Sequence, residues 1–282
     1  MATIASILPA PSPGFALDRV ICALDGSPRD ADATREALAV AGAANGLSFV
    51  AVDDTPQTGG AISSLGEHRA RRALEQAQAL AAAHGTPATT ELAGPGDVAA
   101  TLIDRAGRTG LLVAGGRRGS PVAAAVTGSV ERALLHRAEG PLLLAHSRDG
   151  ERDARLRILV AVDDGPAAAG VVALAGAVAA ASDGYVNLVH VAGREYGSAM
   201  RHRLAELSIE LIARTGREPV VDVLQGAHVA TGITDFARRS GSSLLVVGRR
   251  GLTGLHGLGS VSGRVVNAAP CSVLVVPADF DA

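Results

Sequence analysis

Apolar residues fall along this chain in two alternating textures. Short continuous aliphatic runs, such as Val20-Ile-Cys-Ala-Leu24 and Leu244-Leu-Val-Val247, are separated by longer stretches in which apolar positions recur every three or four residues. An uninterrupted run suits a strand buried on both faces, and the three-four spacing suits a helix with one buried stripe. From Glu67 to His84, Ala70, Ala73, Leu74, Ala77 and Leu80 step along one face, while Arg69, Arg71, Arg72, Glu75 and Gln76 fill much of the other. Leu204, Leu207, Leu211 and Ile212 repeat that arrangement further on. The runs predict strands near 19–25, 47–53, 88–92, 110–115 and 141–146, then near 156–163, 185–191, 219–223, 243–248 and 272–276, with helices between. Pro28 and Pro166 follow the first strand of each series, where a proline in a first helical turn costs little.

The two series are one plan executed twice. Arg19-Val-Ile-Cys-Ala-Leu-Asp25 is answered by Arg157-Ile-Leu-Val-Ala-Val-Asp163, and Leu111-Leu-Val-Ala-Gly-Gly-Arg-Arg-Gly119 by Leu244-Leu-Val-Val-Gly-Arg-Arg-Gly251. Gly128-Ser-Val130 is answered by Gly259-Ser-Val261. The expected organisation is a loose leader over 1–18 carrying Pro9, Pro11 and Pro13, a first domain over 19–147, a charged linker over 148–155 and a second domain over 156–282. Each domain reads as an α/β unit, a doubly wound, Rossmann-like, five-stranded parallel sheet with right-handed crossovers.

Composition narrows the function. A length of 282 residues, 48% of them hydrophobic, suits two cores. The basic residues are all arginine, a bias given no functional weight here, and a net charge of -2 argues against a chain devoted to nucleic acid or anionic lipid. Cys22 and Cys271 lie inside separate apolar runs and read as buried, reduced thiols, which together with the lack of a signal peptide or a spanning run places the protein in the cytoplasm. The histidines form no zinc spacing, and His190, near a strand end, reads as a packed residue. The sequence holds neither a G-x-S-x-G elbow nor a lysine-bearing phosphate loop, and no GxGxxG follows a strand, so no catalytic residue is nominated.

In an open parallel sheet, ligands sit beyond the carboxyl ends of the strands where the winding reverses. The first strands end there in Asp25 and Asp163, and the fourth run into Gly116-Arg-Arg-Gly119 and Gly248-Arg-Arg-Gly251. Gly128-Ser129 and Gly259-Ser260 then open the last helices. Glycines let the backbone turn its N–H groups toward an anion, and a helix start adds free donors. The serines are equally suited to capping their helices, the aspartates to capping the first helix or contacting a ligand, and the arginines to phosphate or to solvent.

With these blocks and the ending Ala268-Ala-Pro-Cys-Ser-Val-Leu-Val-Val276, the sequence resembles the universal stress protein family in two copies over nearly its whole length. In nucleotide-binding members a G-x2-G-x9-G-(S/T) loop binds ATP, while an aspartate and a valine hold the adenosine part. The resemblance implies nucleotide contacts from Asp25, Val52, Gly116, Arg117, Gly119, Gly128 and Ser129, and from Asp163, Val191, Gly248, Arg249, Gly251, Gly259 and Ser260. The implied ligand is ATP, AMP or ADP, with Mg2+ accompanying ATP and at most slow hydrolysis. This chain departs from the motif, with eight residues between the glycines in the first loop (Ser120 to Thr127) and seven in the second (Leu252 to Leu258). The second half also reads Asp163-Asp-Gly165 where the first reads Asp25-Gly-Ser27. The expected role is a nucleotide-binding regulatory module in stress response that an unknown protein partner reads. Its alternative is a nucleotide-free scaffold with closed loops. The resemblance further implies that the halves pair through their last strands as an internal pseudo-dimer, with a further homodimer open.

Overall fold

A computed structural model of the chain describes residues 17–52, 61–116, 129–147, 155–192, 197–226, 228–249 and 260–280. The first half runs β1 (Val20–Leu24), α1 (Asp30–Val40), β2 (Leu47–Val52), α2 (Ala61–His84), β3 (Thr89–Ala93), α3 (Val98–Ala106), β4 (Leu111–Gly115), α4 (Ser129–Arg137) and β5 (Leu142–Ala145). The second repeats it as β6 (Arg157–Ala161), α5 (Ala168–Ala181), β7 (Tyr185–Ala192), α6 (Ser198–Thr215), β8 (Val220–Gln225), α7 (Val229–Arg239), β9 (Leu244–Gly248), α8 (Ser260–Ala268) and β10 (Ser272–Val276). Each predicted strand forms within about three residues of its expected bounds. The α1 and α5 helices begin two residues beyond Pro28 and Pro166, which sit in the preceding turns.

The two predicted five-stranded sheets fuse into one ten-stranded sheet of order β3-β2-β1-β4-β5-β10-β9-β6-β7-β8. Pairing within each half is parallel, whereas β5 and β10 run antiparallel, with Leu143 opposite Leu274. Four edges of two separate sheets become two, and the seam strands bury every residue of both. Winding reverses between β1 and β4 and again between β6 and β9, so each half has its own switch point.

Side chains alternate across the sheet into two cores. Val20, Cys22 and Phe49 pack with α1 and α2 on one face, and Ile21, Leu112 and Leu134 with α3 and α4 on the other. The second half follows the same rule. Helix α5 is buried almost all round, because α6, the sheet, the short 3-10 turn Ala41–Ala43 of the first half and the C-terminal segment all press on it. That environment explains an apolar run from Gly170 to Ala181 that is too short to span a bilayer. Among the described residues no helix is long and apolar enough to cross a membrane.

Leu17 is buried, and its N–H donates to the Ala43 carbonyl at 3.0 Å, so the fold takes in the last two positions assigned to the leader. Residues 1–16 and most of the linker, 148–154, lie outside the described residues.

Candidate functional site

Two cavities of about 560 and 550 Å³ open at the two switch points. Strand register makes their walls comparable. Val20 pairs with Leu47 and Leu111, and Ile158 pairs with Val186 and Leu244. Asp25 therefore corresponds to Asp163, Val52 to Val191 and Gly115 to Gly248. All six line their cavities.

The first-half cavity is polar at its rim. Asp25 Oδ1 accepts the Ser27 N–H at 2.9 Å, and Oδ2 accepts from Arg29 Nη2 at 3.0 Å. Partial burial pushes the Asp25 carboxyl up, but the Ser27 and Arg29 hydrogen bonds outweigh it and hold the group below the ordinary carboxylate range. Asp30, at the start of α1, accepts the Asp25 and Gly26 N–H groups at 3.1 and 2.8 Å. Burial pushes Asp30 up to about 6 against those donors, with the Asp25 charge adding to the rise. Asp25 therefore closes its own turn, Asp30 reaches back to brace the same turn from the first residue of α1, and no side chain caps α1 itself.

The second-half cavity is mostly aliphatic, walled by Val162, Val171, Val191, Val229, Ile233 and Val247. Asp163 Oδ1 accepts the Gly165 N–H at 2.8 Å, the same turn as Asp25 makes with Ser27, so loss of the serine leaves the geometry intact. Ala167 and Ala168 stand where Arg29 and Asp30 stand in the first half. His190 lines the cavity, and its Nδ1 donates to the Val162 carbonyl at 3.0 Å, which ties β7 to the end of β6. Ser262 Oγ donates to the Gly248 carbonyl at 2.7 Å and anchors α8 to the end of β9. Sequence reasoning missed Ser262, Arg29, Arg69 and Glu131 as wall residues. Each sits in a neighbouring turn or helix, and only the crossover geometry brings it to the sheet edge.

The fourth-strand glycines are placed unequally. Gly115, not Gly116, lines the first cavity, with the Arg29 Cβ 2.7 Å from where its own Cβ would stand. Gly116 donates to the Ala145 carbonyl at 2.8 Å, and a Cβ there would lie 2.5 Å from His146 Nε2. Its counterpart Arg249 donates to the Val276 carbonyl at 2.6 Å, turns its side chain into the seam and bonds the Ala138 carbonyl through Nη1. Arg249 is thus buried between the halves, away from the cavity wall, and burial lowers its pKa with Asp279 opposing. Ser129 and Ser260 are the first residues of α4 and α8. Arg117, Gly119, Gly128, Gly251 and Gly259 lie outside the described residues.

The fold and its duplicated switch points define a tandem, Rossmann-like α/β protein, and comparison with known proteins gives the family. The model of the universal stress protein family matches residues 16–146 and again 155–277, and the chain belongs to that family. It is 34% identical over 232 residues to a universal stress protein of Mycolicibacterium smegmatis, covering 74% of this chain and 77% of that one. A universal stress protein of Archaeoglobus fulgidus has the same fold, with a TM-score of 0.70 at 20% identity over 93% of this chain and 97% of its own. A universal stress protein solved in complex with cAMP aligns with 45% of this chain and all of its own length (100%), at 26% identity and a TM-score of 0.40.

Proposed function

We propose that the protein is an adenine-nucleotide-binding regulatory module of the stress response, acting in the cytoplasm, with a site at the carboxyl edge of each half. The observation that carries this reading is the pair of cavities of matched position, each set between a first-strand carboxylate and a second-strand valine at a winding reversal. Their size falls within the range usual for small-molecule sites. Apolar walls suit the faces of a base, and Asp25 or Asp163 at the rim suits ribose hydroxyls. The N-termini of α4 and α8 begin beside the same cavities, with Val130 and Val261 in their walls, and offer backbone donors and a partial positive charge to phosphate. ATP, AMP and ADP are the ligands this reading names. Mg2+ belongs to this reading as the companion of ATP phosphates; among the described residues no group of three His, Cys, Asp or Glu is gathered to hold a metal.

Binding biases the surfaces at the sheet edge that a protein partner reads, and no step in this role requires a catalytic base. The test is the ligand content of the purified full chain, by absorbance at 260 nm and chromatography of the extract, followed by calorimetry with ATP and AMP. Stoichiometric nucleotide, or saturable binding at micromolar ligand, is the expected result. No bound nucleotide and no heat of binding would leave the scaffold reading in its place.

A further inference from the structure

Helix α2 turns Arg69, Arg72, Ala73 and Gln76 to one side, a spacing that puts them on a single helix face. With the β1–α1 turn they enclose a recess of about 200 Å³. Gly26, Ser27, Asp30 and Arg69 line both this recess and the larger first-half cavity, so the two spaces adjoin. Gly26 is the junction. Its φ is 76°, and a Cβ there would lie 3.1 Å from the Arg69 Cβ, so α2 rests directly on the turn.

The charges in this recess are unevenly committed. Arg71, on another face of α2, is tied to Glu67 at 2.6 Å, and Arg29 is tied to Asp25 at 3.0 Å. Arg69 and Arg72 make no hydrogen bond or ion pair among the described residues. Asp30, the acid in the recess, directs both carboxylate oxygens at the Asp25 and Gly26 N–H groups. Two guanidinium groups therefore face a partly enclosed space beside a nucleoside-sized cavity, with the Ser27 hydroxyl and Gln76 amide as neutral donors. In the second half Ala167 and Ala168 replace Arg29 and Asp30, and no arginine lines the described cavity wall.

We propose that this recess of the first half is an anion subsite in which Arg69 and Arg72 bind a phosphate group. Guanidinium forks match phosphate oxygens in geometry and charge. The phosphate can be free, or it can be a second phosphate on the ribose of a nucleotide whose base lies in the larger cavity. The latter form rests on the nucleotide reading above.

Calorimetry on the full chain at fixed ionic strength separates the cases, using adenosine 3′,5′-bisphosphate, 5′-AMP and inorganic phosphate. Adenosine 3′,5′-bisphosphate is expected to bind wild type about tenfold or more tighter than 5′-AMP, the scale of one charge-assisted contact. That ratio should collapse toward one in Arg72→Gln and persist in Arg71→Gln, a surface control on the same helix. Equal affinity of the two nucleotides for wild type overturns the ribose-phosphate form and leaves the decision to inorganic phosphate, and the same loss of the ratio in both variants overturns the proposal. If neither nucleotide binds, the nucleotide reading fails, and inorganic phosphate decides the subsite alone. Millimolar or tighter phosphate binding that Arg72→Gln abolishes upholds it, and no phosphate binding overturns it.

Discussion

Asp25 and Asp30 share one turn but titrate in opposite senses, because the donors are distributed unequally. Asp25 is held low by Ser27 and Arg29, so its contribution to stability is present above the ordinary carboxylate range and is lost as pH falls below it. Asp30 is raised to about 6. A carboxyl raised in the folded state stabilises below its unfolded pKa, and that contribution is lost as pH rises through the folded value. Asp30→Asn should therefore flatten the fall in thermal midpoint between about pH 4 and 6, a change measurable by calorimetric melts at matched ionic strength. At the proposed nucleotide sites, Asp25→Ala or Asp163→Ala should weaken nucleotide by about two- to tenfold in whichever half is used, as read by titration. Val52 and Val191 were singled out only by the family resemblance, whereas the placing of Asp25 and Asp163 at the sheet edge was legible in the sequence because strand ends and switch points follow from pattern. The seam role of Arg249 was not, since a Gly-Arg-Arg-Gly string does not say which way its first arginine turns. Only register revealed that Gly115 aligns with Gly248, leaving Gly116 and Arg249 as counterparts of opposite bulk.

Among the elements, the strands were the most legible, because aliphatic runs closed by Asp, Gly or Pro allow little else. Helix starts were less so. Pro28 and Pro166 suggested a first helical turn, but the intervening turn is held by side chains, Asp30 in one half and Asp163 in the other, and each helix begins later. Helix α5 shows a constraint of another kind. At Gly170 a Cβ would lie 2.3 Å from the Phe280 carbonyl oxygen, a backbone contact with no side chain to yield. Although alanine is the better helix former, Gly170→Ala should destabilise the chain by about 1–3 kcal/mol in urea unfolding, with Phe280 displaced. The α5 sequence shows that the helix is apolar all round, but what covers it comes from remote parts of the chain, which no local pattern announces.

Across the whole molecule, the seam converts a duplicated unit into one sheet. Leu143 and Leu274 face each other at its centre, fully buried, and Leu274→Asp should cost more than about 4 kcal/mol by burying an unpaired charge. Denaturation followed by both far-UV dichroism and hydrodynamic radius would show whether the halves then part before they unfold. Beside the leucines lies a polar relay. Ser272 Oγ donates to the buried Glu36 carboxylate at 3.0 Å and accepts the His146 N–H at 3.1 Å. Removing the hydroxyl in Ser272→Ala should cost about 1–3 kcal/mol, measured as a shift in denaturation midpoint at unchanged slope.

That relay also has a handedness. At the positions equivalent to Glu36, His146 and Ser272 the opposite half carries Leu174, Pro277 and Pro141, so every polar member has an apolar counterpart. Two first halves meeting by the same edge would set the Glu36 carboxylate against a proline ring, and two second halves would leave Ser272 facing a leucine. The duplicated units are therefore keyed and no longer interchangeable: copies of the chain can trade halves and rebuild the same seam, but like cannot close on like without stranding a buried polar group.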